Sequence, residues 1–336
     1  MVKGNPTVVF EQPRKVVIED RPIPVPGKGE LLIRTSVTLI STGTELTILR
    51  GEFPPDSAWG QYGRFPFTPG YDNIGKVVDV GPDVDRKWIG SRVASYGPHA
   101  MYVKEPVESV RTVHREIPDD HAVFFTIAEI VMNGVRRSRV EWGDSVAIYG
   151  AGLLGQLTAR LCRICGAMPV FVIDVANNRL RLLPDDPLVV KLNPNEVDIV
   201  SEVEKRTRGR MASIVFEITG KADLIPSEFK LLRRQGRFVV LSSPCGKTTF
   251  DFHDLCNSPS YTIIGAHNSS HPRYATPDNQ WTNHRHAELF FDLVADRQID
   301  MSGLISHRVS YGKAVETYDM LLMNRTQAMG VLFEWS

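Results

Sequence analysis

The 336-residue chain balances 39 Lys+Arg against 39 Asp+Glu, with 42% hydrophobic and 23% charged residues, as expected of two soluble domains of ordinary size. Zero net charge leaves no electrostatic footprint for nucleic acid or an anionic membrane, and no apolar run approaches bilayer length. The amino terminus lacks a signal-peptide core, so the cytoplasm is the expected location and a small molecule the expected partner.

Residues 7–38 alternate short apolar runs (Val8-Val9-Phe10, Val16-Val17-Ile18, Leu31-Leu32-Ile33) around a proline-rich break, the spacing of a small antiparallel sheet or barrel. A polar turn follows at 41–45, then a proline-marked loop ending at Tyr71-Asp72, and strands at 74–80 and 90–96. From Asp120 the pattern becomes helical, with 121–137 largely apolar.

Residues 145–174 then read as strand, glycine turn, helix, strand, acid. Gly150, Gly152 and Gly155 form Gly-x-Gly-x-x-Gly between the apolar run 145–149 and a helix whose apolar positions recur at three and four. In this arrangement the first glycine permits the turn, the second lets backbone approach a pyrophosphate, and the third lets helix pack on sheet. Asp174 ends the second strand about 20 residues on, where a carboxylate binds ribose hydroxyls and repels a 2′-phosphate. The expected cofactor is therefore NAD, with NADP less favoured, although Arg179 is a cation that could hold either a 2′-phosphate or a ribose. Leu153, Leu154, Thr219 and Ser242 are grouped with the glycines, Asp174 and Arg179 as cofactor-binding candidates. Cys162 and Cys165 form a C-x-x-C inside this helix, where cysteine reads as a small core residue; no second pair stands at ligand spacing.

Strands predicted at 188–192, 213–218, 237–241 and 261–265 alternate with helices at 195–207 and 221–234, which builds a doubly wound parallel sheet. Residues 266–286 hold four of the nine histidines and hardly an aliphatic side chain, a long polar loop of the functional kind. A helix at 287–296 and a strand, helix and strand within 304–336 finish the chain.

This order resembles the medium-chain dehydrogenase/reductase superfamily. Pro69-Gly70-Tyr71-Asp72-Asn73-Ile74-Gly75 is similar to its Pro-Gly-His-Glu-x-x-Gly, Gly90-Ser91-Arg92-Val93 to its Gly-Asp-Arg-Val, and Leu304-Ile305-Ser306-His307 to its Leu-Ile-Thr-His. Gly143-Asp144-Ser145-Val146 precedes the glycine turn as in the family. The resemblance implies an α/β fold: a Rossmann dinucleotide-binding domain (127–267) inserted in a β-rich, GroES-like catalytic domain (1–126 and 268–336). It also implies a homodimer or homotetramer. Where the family's zinc enzymes carry a cysteine and the Pro-Gly-His-Glu pair, this chain has Thr42, Tyr71 and Asp72; the third ligand position falls near Phe125, and the cysteines of the structural-zinc lobe are absent. Zinc takes thiolate, imidazole and carboxylate in tetrahedral array, so no metal is expected. The turn Ser41-Thr42-Gly43-Thr44-Glu45 is similar to a zinc-free branch that includes bacteriochlorophyllide a dehydrogenase; other members with this turn appear beside carbohydrate metabolism.

The expected activity is hydride transfer between a secondary alcohol or ketone and nicotinamide. The catalytic candidates are Thr44, Glu45, Tyr71 and His267. Thr44 matches a proton-relaying hydroxyl of the zinc members, and Tyr71 replaces the zinc-binding imidazole. Glu45 is a potential base, and His267 follows the last strand of the nucleotide fold. Asp72, Glu129, Asn268, His271 and Arg273 are read as substrate contacts. A rim so rich in hydrogen-bonding groups suits a sugar, polyol or cyclitol, whose buried hydroxyls each need a partner. Two alternatives stand beside this reading, an NADPH-dependent quinone or enone reductase and a nucleotide-binding protein without turnover.

Overall fold

The computed structural model describes residues 4–114 and 116–336; Met1–Lys3, read above as part of an amino terminus without a signal core, lie outside them. The chain divides into two units, Met1–Thr126 with Ala287–Ser336, and Ile127–His286. The first unit opens with β1 (Asn5–Gln12), β2 (Lys15–Arg21), β3 (Glu30–Leu39), β4 (Asn73–Val80), β5 (Arg92–Ser95), β6 (Tyr102–Pro106) and β7 (Arg111–Thr112). The second unit follows with β8 (Val146–Tyr149), β9 (Val170–Ile173), β10 (Val189–Leu192), β11 (Ala212–Glu217), β12 (Leu232–Val240) and β13 (Thr262–Gly265). The chain then returns to the first unit for β14 (Ile305–Ser310) and β15 (Gly330–Glu334).

In the first unit β1 and β2 form a hairpin, and the larger sheet runs β14-β15-β3-β4-β5-β7, with β6 also paired to β3. β3 is central because its apolar residues lie on both faces: Leu31, Leu32, Ile33, Val37 and Leu39 are all buried. The helix Thr44–Arg50 and the helix Ala314–Asn324 share one core, in which Val8, Phe10, Leu46 and Ile48 meet Tyr318, Phe333 and Trp335. Each large side chain buried there contributes about 1.5–3 kcal/mol relative to exposure. This core fixes the polar turn at 41–45 from below.

In the second unit all six strands are parallel, in the order β10-β9-β8-β11-β12-β13. β9 and β11 are buried along their whole lengths, as strands covered by helices on both faces must be. Strand order reverses between β8 and β11, and in such sheets ligands bind in the crevice outside the carboxyl ends at that switch point.

The helix expected at 221–234 is instead a series of short turns, Ala222–Leu224, Ile225–Glu228 and Phe229–Leu231, and β12 begins at Leu232. Pro226, which has no N–H to give, stands in the first turn of Ile225–Glu228. The second unit also extends beyond the expected boundary at 267, to His286. The reason is hydrogen bonding: Asn133 donates to the His267 carbonyl and to Ser270 Oγ, and Arg136 donates to His286, which fastens the polar loop to the helix Phe125–Arg137. Among the described residues no helix is long and apolar enough to cross a membrane.

Candidate active site

The expected site residues fall in both units, and each group has its own local geometry. In the second unit Gly150 leaves β8 at φ 104°, in the left-handed region that only glycine adopts freely. A Cβ on Gly155 would overlap the Gly150 carbonyl, whereas one on Gly152 would meet nothing within 4 Å. Gly152 therefore leaves a cradle at the amino end of the helix Leu153–Ile164, which no side chain caps and whose dipole favours an anion. Leu153 is buried in the first turn and Leu154 is half-buried beside it. Asp174 accepts the N–H of Ala151, inside the glycine turn, at 2.7 Å and that of Ala176 at 2.8 Å, and Arg179 lies within its electrostatic reach. These residues fit a dinucleotide: an open cradle for the pyrophosphate and an acid tied to it for the ribose.

Thr219 and Ser242 follow β11 and β12, and both hydroxyls donate to Glu217, a fully buried carboxylate that sequence reasoning missed. Its signal was an acid ending an apolar strand, the same pattern that marks Asp174. Close by, Glu228 is also fully buried, and among the described residues neither of its oxygens has a hydrogen-bond partner. Burial, and second the charge of Glu217, push its carboxyl up to about 9.

The histidine-rich loop is an ordered chain of donors and acceptors. Arg136 Nε donates to His286 Nε2 at 3.0 Å, so the His286 proton sits on Nδ1 and is donated to His271 Nε2 at 2.8 Å. His271 in turn donates from Nδ1 to the Asn268 carbonyl at 2.7 Å. Burial first, then His271 and the two arginines, lower the His286 pKa to about 3, so this ring stays neutral. Trp281 stacks on His286, with the guanidinium groups of Arg136 and Arg285 at 3.2 and 4.3 Å from its ring centroid. His271 thus has both ring nitrogens engaged within the loop. His267 is exposed; its Nδ1 accepts the Ser269 N–H at 3.2 Å, which leaves the proton of the neutral ring on Nε2. Asn268 is half-buried, Arg273 is exposed beside Tyr274, and Glu129 is fully buried with Asn283 at 3.4 Å.

In the first unit the turn at 41–45 leads into the helix Thr44–Arg50. The Tyr71 phenol donates to Ser41 Oγ and stands 3.2 Å from Thr44 Oγ1, making a trio of hydroxyls. Burial, and second the Asp72 charge, raise the phenol well above its ordinary value, so it keeps its proton. Asp72 is fully buried and accepts the Thr126 N–H at 3.2 Å. Glu45 is 1% exposed, and its oxygens take the Ser41 N–H at 2.9 Å, the Tyr318 hydroxyl and His99 Nε2 at 3.2 Å. His99 Nδ1 meets Thr38 Oγ1 at 2.7 Å, and Trp335 Nε1 donates to that same oxygen at 3.0 Å. The structure therefore brings Thr44 and Tyr71 together and sets Glu45 beneath them, surrounded by donors. His99 and Tyr318 carried no local signal in the sequence.

Thr42, Tyr71 and Asp72 offer a hydroxyl, a protonated phenol and one carboxylate, which do not fit tetrahedral zinc. Among the described residues no three His, Cys, Asp or Glu side chains converge as metal ligands.

Residues 27–115 match the family model of the alcohol dehydrogenase GroES-like domain, and residues 154–283 that of zinc-binding dehydrogenase. Sorbitol dehydrogenase 2 of Saccharomyces cerevisiae is 25% identical over 360 residues, covering 94% of each chain. D-guloside 3-dehydrogenase of Escherichia coli is 26% identical over 273 residues, 79% of this chain and 76% of that one. In fold, the chain matches 2R,3R-butanediol dehydrogenase of Bacillus subtilis with a TM-score of 0.81 at 17% identity, over 98% of this chain and 99% of that one.

Proposed function

The chain belongs to the medium-chain dehydrogenase/reductase superfamily, and from that premise we propose that it oxidises a secondary alcohol of a sugar, polyol or cyclitol with NAD and without zinc. The observation that carries this reading is the Tyr71–Ser41–Thr44 hydroxyl trio, with a phenol held neutral in the turn where the zinc relatives keep a metal ligand. The polyol relatives support the substrate class. Asp174 supports NAD, since a carboxylate there opposes a 2′-phosphate.

When bound, the dinucleotide supplies a nicotinamide carbon that accepts hydride. The chain's own part is to hold the substrate oxygen and handle its proton. Tyr71 is too weak an acid to serve as base at neutral pH, so its role is to turn its O–H from Ser41 to the substrate oxygen as charge develops there. Thr44 Oγ1, half-buried and so within reach of water, accepts the alcohol proton while its own hydroxyl proton passes to water.

The test is reduction of NAD⁺ and NADP⁺ in a panel of sugars, glycosides, polyols and cyclitols, with and without chelator. Chelator-resistant NADH formation from one of them is expected. Loss of activity in chelator would overturn the zinc-free reading, and NADPH-driven enone reduction would overturn the substrate class.

A further inference from the structure

Glu217 ends β11 directly beside Tyr149, the last residue of β8, and beside Val240, the last of β12. It therefore sits at the carboxyl edge of the sheet where strand order reverses. Its side chain is fully buried, yet each of its side-chain hydrogen bonds runs to a loop that follows β11 or β12. One oxygen accepts the Thr219 hydroxyl and the Gly220 N–H, each at 2.8 Å, and the other accepts the Ser242 hydroxyl. Its own carbonyl takes the N–H groups of Leu241 at 3.1 Å and Ser242 at 3.2 Å. One residue thus ties the loop after β11 to the loop after β12. The first of these loops also walls the glycine turn: a Cβ on Gly150 would lie 3.3 Å from the Ile218 carbonyl and 3.5 Å from the Thr219 nitrogen.

Packing alone does not explain a carboxylate here, because a well-fitted apolar side chain serves a core at least as well. Its charge also weighs on the neighbouring Glu228, whose oxygens have no hydrogen-bond partner among the described residues and whose carboxyl is pushed up to about 9 by burial first and by Glu217 second. A core position that breaks a stability rule without local return is the kind that function retains.

We propose that Glu217 is a positioning residue for the dinucleotide, holding Thr219–Gly220 and Ser242 in the geometry that the cofactor needs. It acts through those loops and does not touch the cofactor. The inference rests on the proposed dinucleotide binding and deepens it.

The experiment is titration of the full chain with NADH, followed by tryptophan-to-nicotinamide energy transfer, alongside thermal melts without cofactor. Glu217→Leu removes all three links, but the donors it frees on Thr219, Gly220 and Ser242 are only half-buried and can turn to water, and the charge beside Glu228 is gone, so the variant is expected to fold. Its NADH Kd is expected to rise about tenfold, because both loops must then be ordered on binding. Glu217→Gln can still accept from Thr219 and Gly220 and donate to Ser242 Oγ, so it is expected to bind within about threefold of the wild type. An unchanged Kd in a folded Glu217→Leu overturns the proposal while leaving dinucleotide binding intact. A wild-type chain that binds neither NADH nor NADPH overturns the functional reading itself. Should the leucine variant not fold, Glu217→Asp carries the test. It keeps the charge but is one methylene too short to reach both loops, and unchanged affinity in it would equally overturn the proposal.

Discussion

Two of the buried glutamates, Glu45 of the first unit and Glu228 of the second, meet opposite surroundings. Around Glu45 the chain converges three donors, the Ser41 N–H, the Tyr318 hydroxyl and His99 Nε2, drawn from three separate stretches. Around Glu228 it offers none among the described residues, and the nearest charged influence is another carboxylate, Glu217. A buried acid can stay in place by being surrounded with donors or by keeping its proton. The first route makes the residue a hub on which neighbours depend. The second leaves it a replaceable liability. Glu45 bonds to Ser41, a member of the hydroxyl trio, and Glu228 lies beside Glu217, the carboxylate that ties the loops after β11 and β12 together.

The comparison breaks most severely at Glu45. Glu45→Ala leaves three buried donors without an acceptor, each orphan costing about 1–3 kcal/mol, so a loss of about 4 kcal/mol in urea unfolding is expected. A loss below 1 kcal/mol would mean that the carboxylate is no hub. Glu228 is expected to respond in the opposite direction. Its folded-state pKa, about 9, lies above the ordinary 4.5, so below pH 4.5 the carboxyl is neutral in both states and the stability it allows is fully present. Between the two values the unfolded chain releases the proton while the folded chain retains it, and stability falls by about 1.4 kcal/mol per pH unit until the folded group also ionises. Glu228→Gln removes this dependence, so at pH 7 the variant is expected to be about 3 kcal/mol more stable than the wild type, with the gain vanishing near pH 4.5. Equal stability at both pH values would show that Glu228 ionises freely when folded.

The same contrast explains what could be read in the sequence. The glycine turn and Asp174 were legible because the hydrogen bonds that tie the acid to the turn lie within a span of about 30 residues, where spacing alone implies geometry. That β8 to β13 form a parallel sheet followed from strand–helix alternation, which is likewise a local pattern. The Glu45 hub was not legible: His99 lies 54 residues away and Tyr318 lies 273 away, and neither sits in a pattern that announces a polar partner. The polar loop at 266–286 was visible as unusual, but its composition could not reveal that His286 bonds to both His271 and Arg136. Glu228 was hidden inside a predicted helix, where a glutamate ordinarily faces water. The chain breaks there into short turns that bury it.

Tyr318→Phe sharpens the comparison with the smallest change. The phenyl ring keeps its edge contact with Phe10, at 5.0 Å between centroids, and its packing against Phe333 at 6.0 Å, so only the hydroxyl is removed. Glu45 retains the Ser41 N–H and His99, and the expected loss is therefore about 1.5 kcal/mol, that of one hydrogen bond to a carboxylate. The informative measurement is the double-mutant cycle with Glu45→Ala. Once the carboxylate is gone, the Tyr318 hydroxyl is itself a buried orphan, and removing it should cost nothing or restore a little stability. A coupling of about 1–2 kcal/mol between the two substitutions is thus expected. If the losses simply add, the hydroxyl and the carboxylate act independently, and Glu45 would be held by Ser41 and His99 alone.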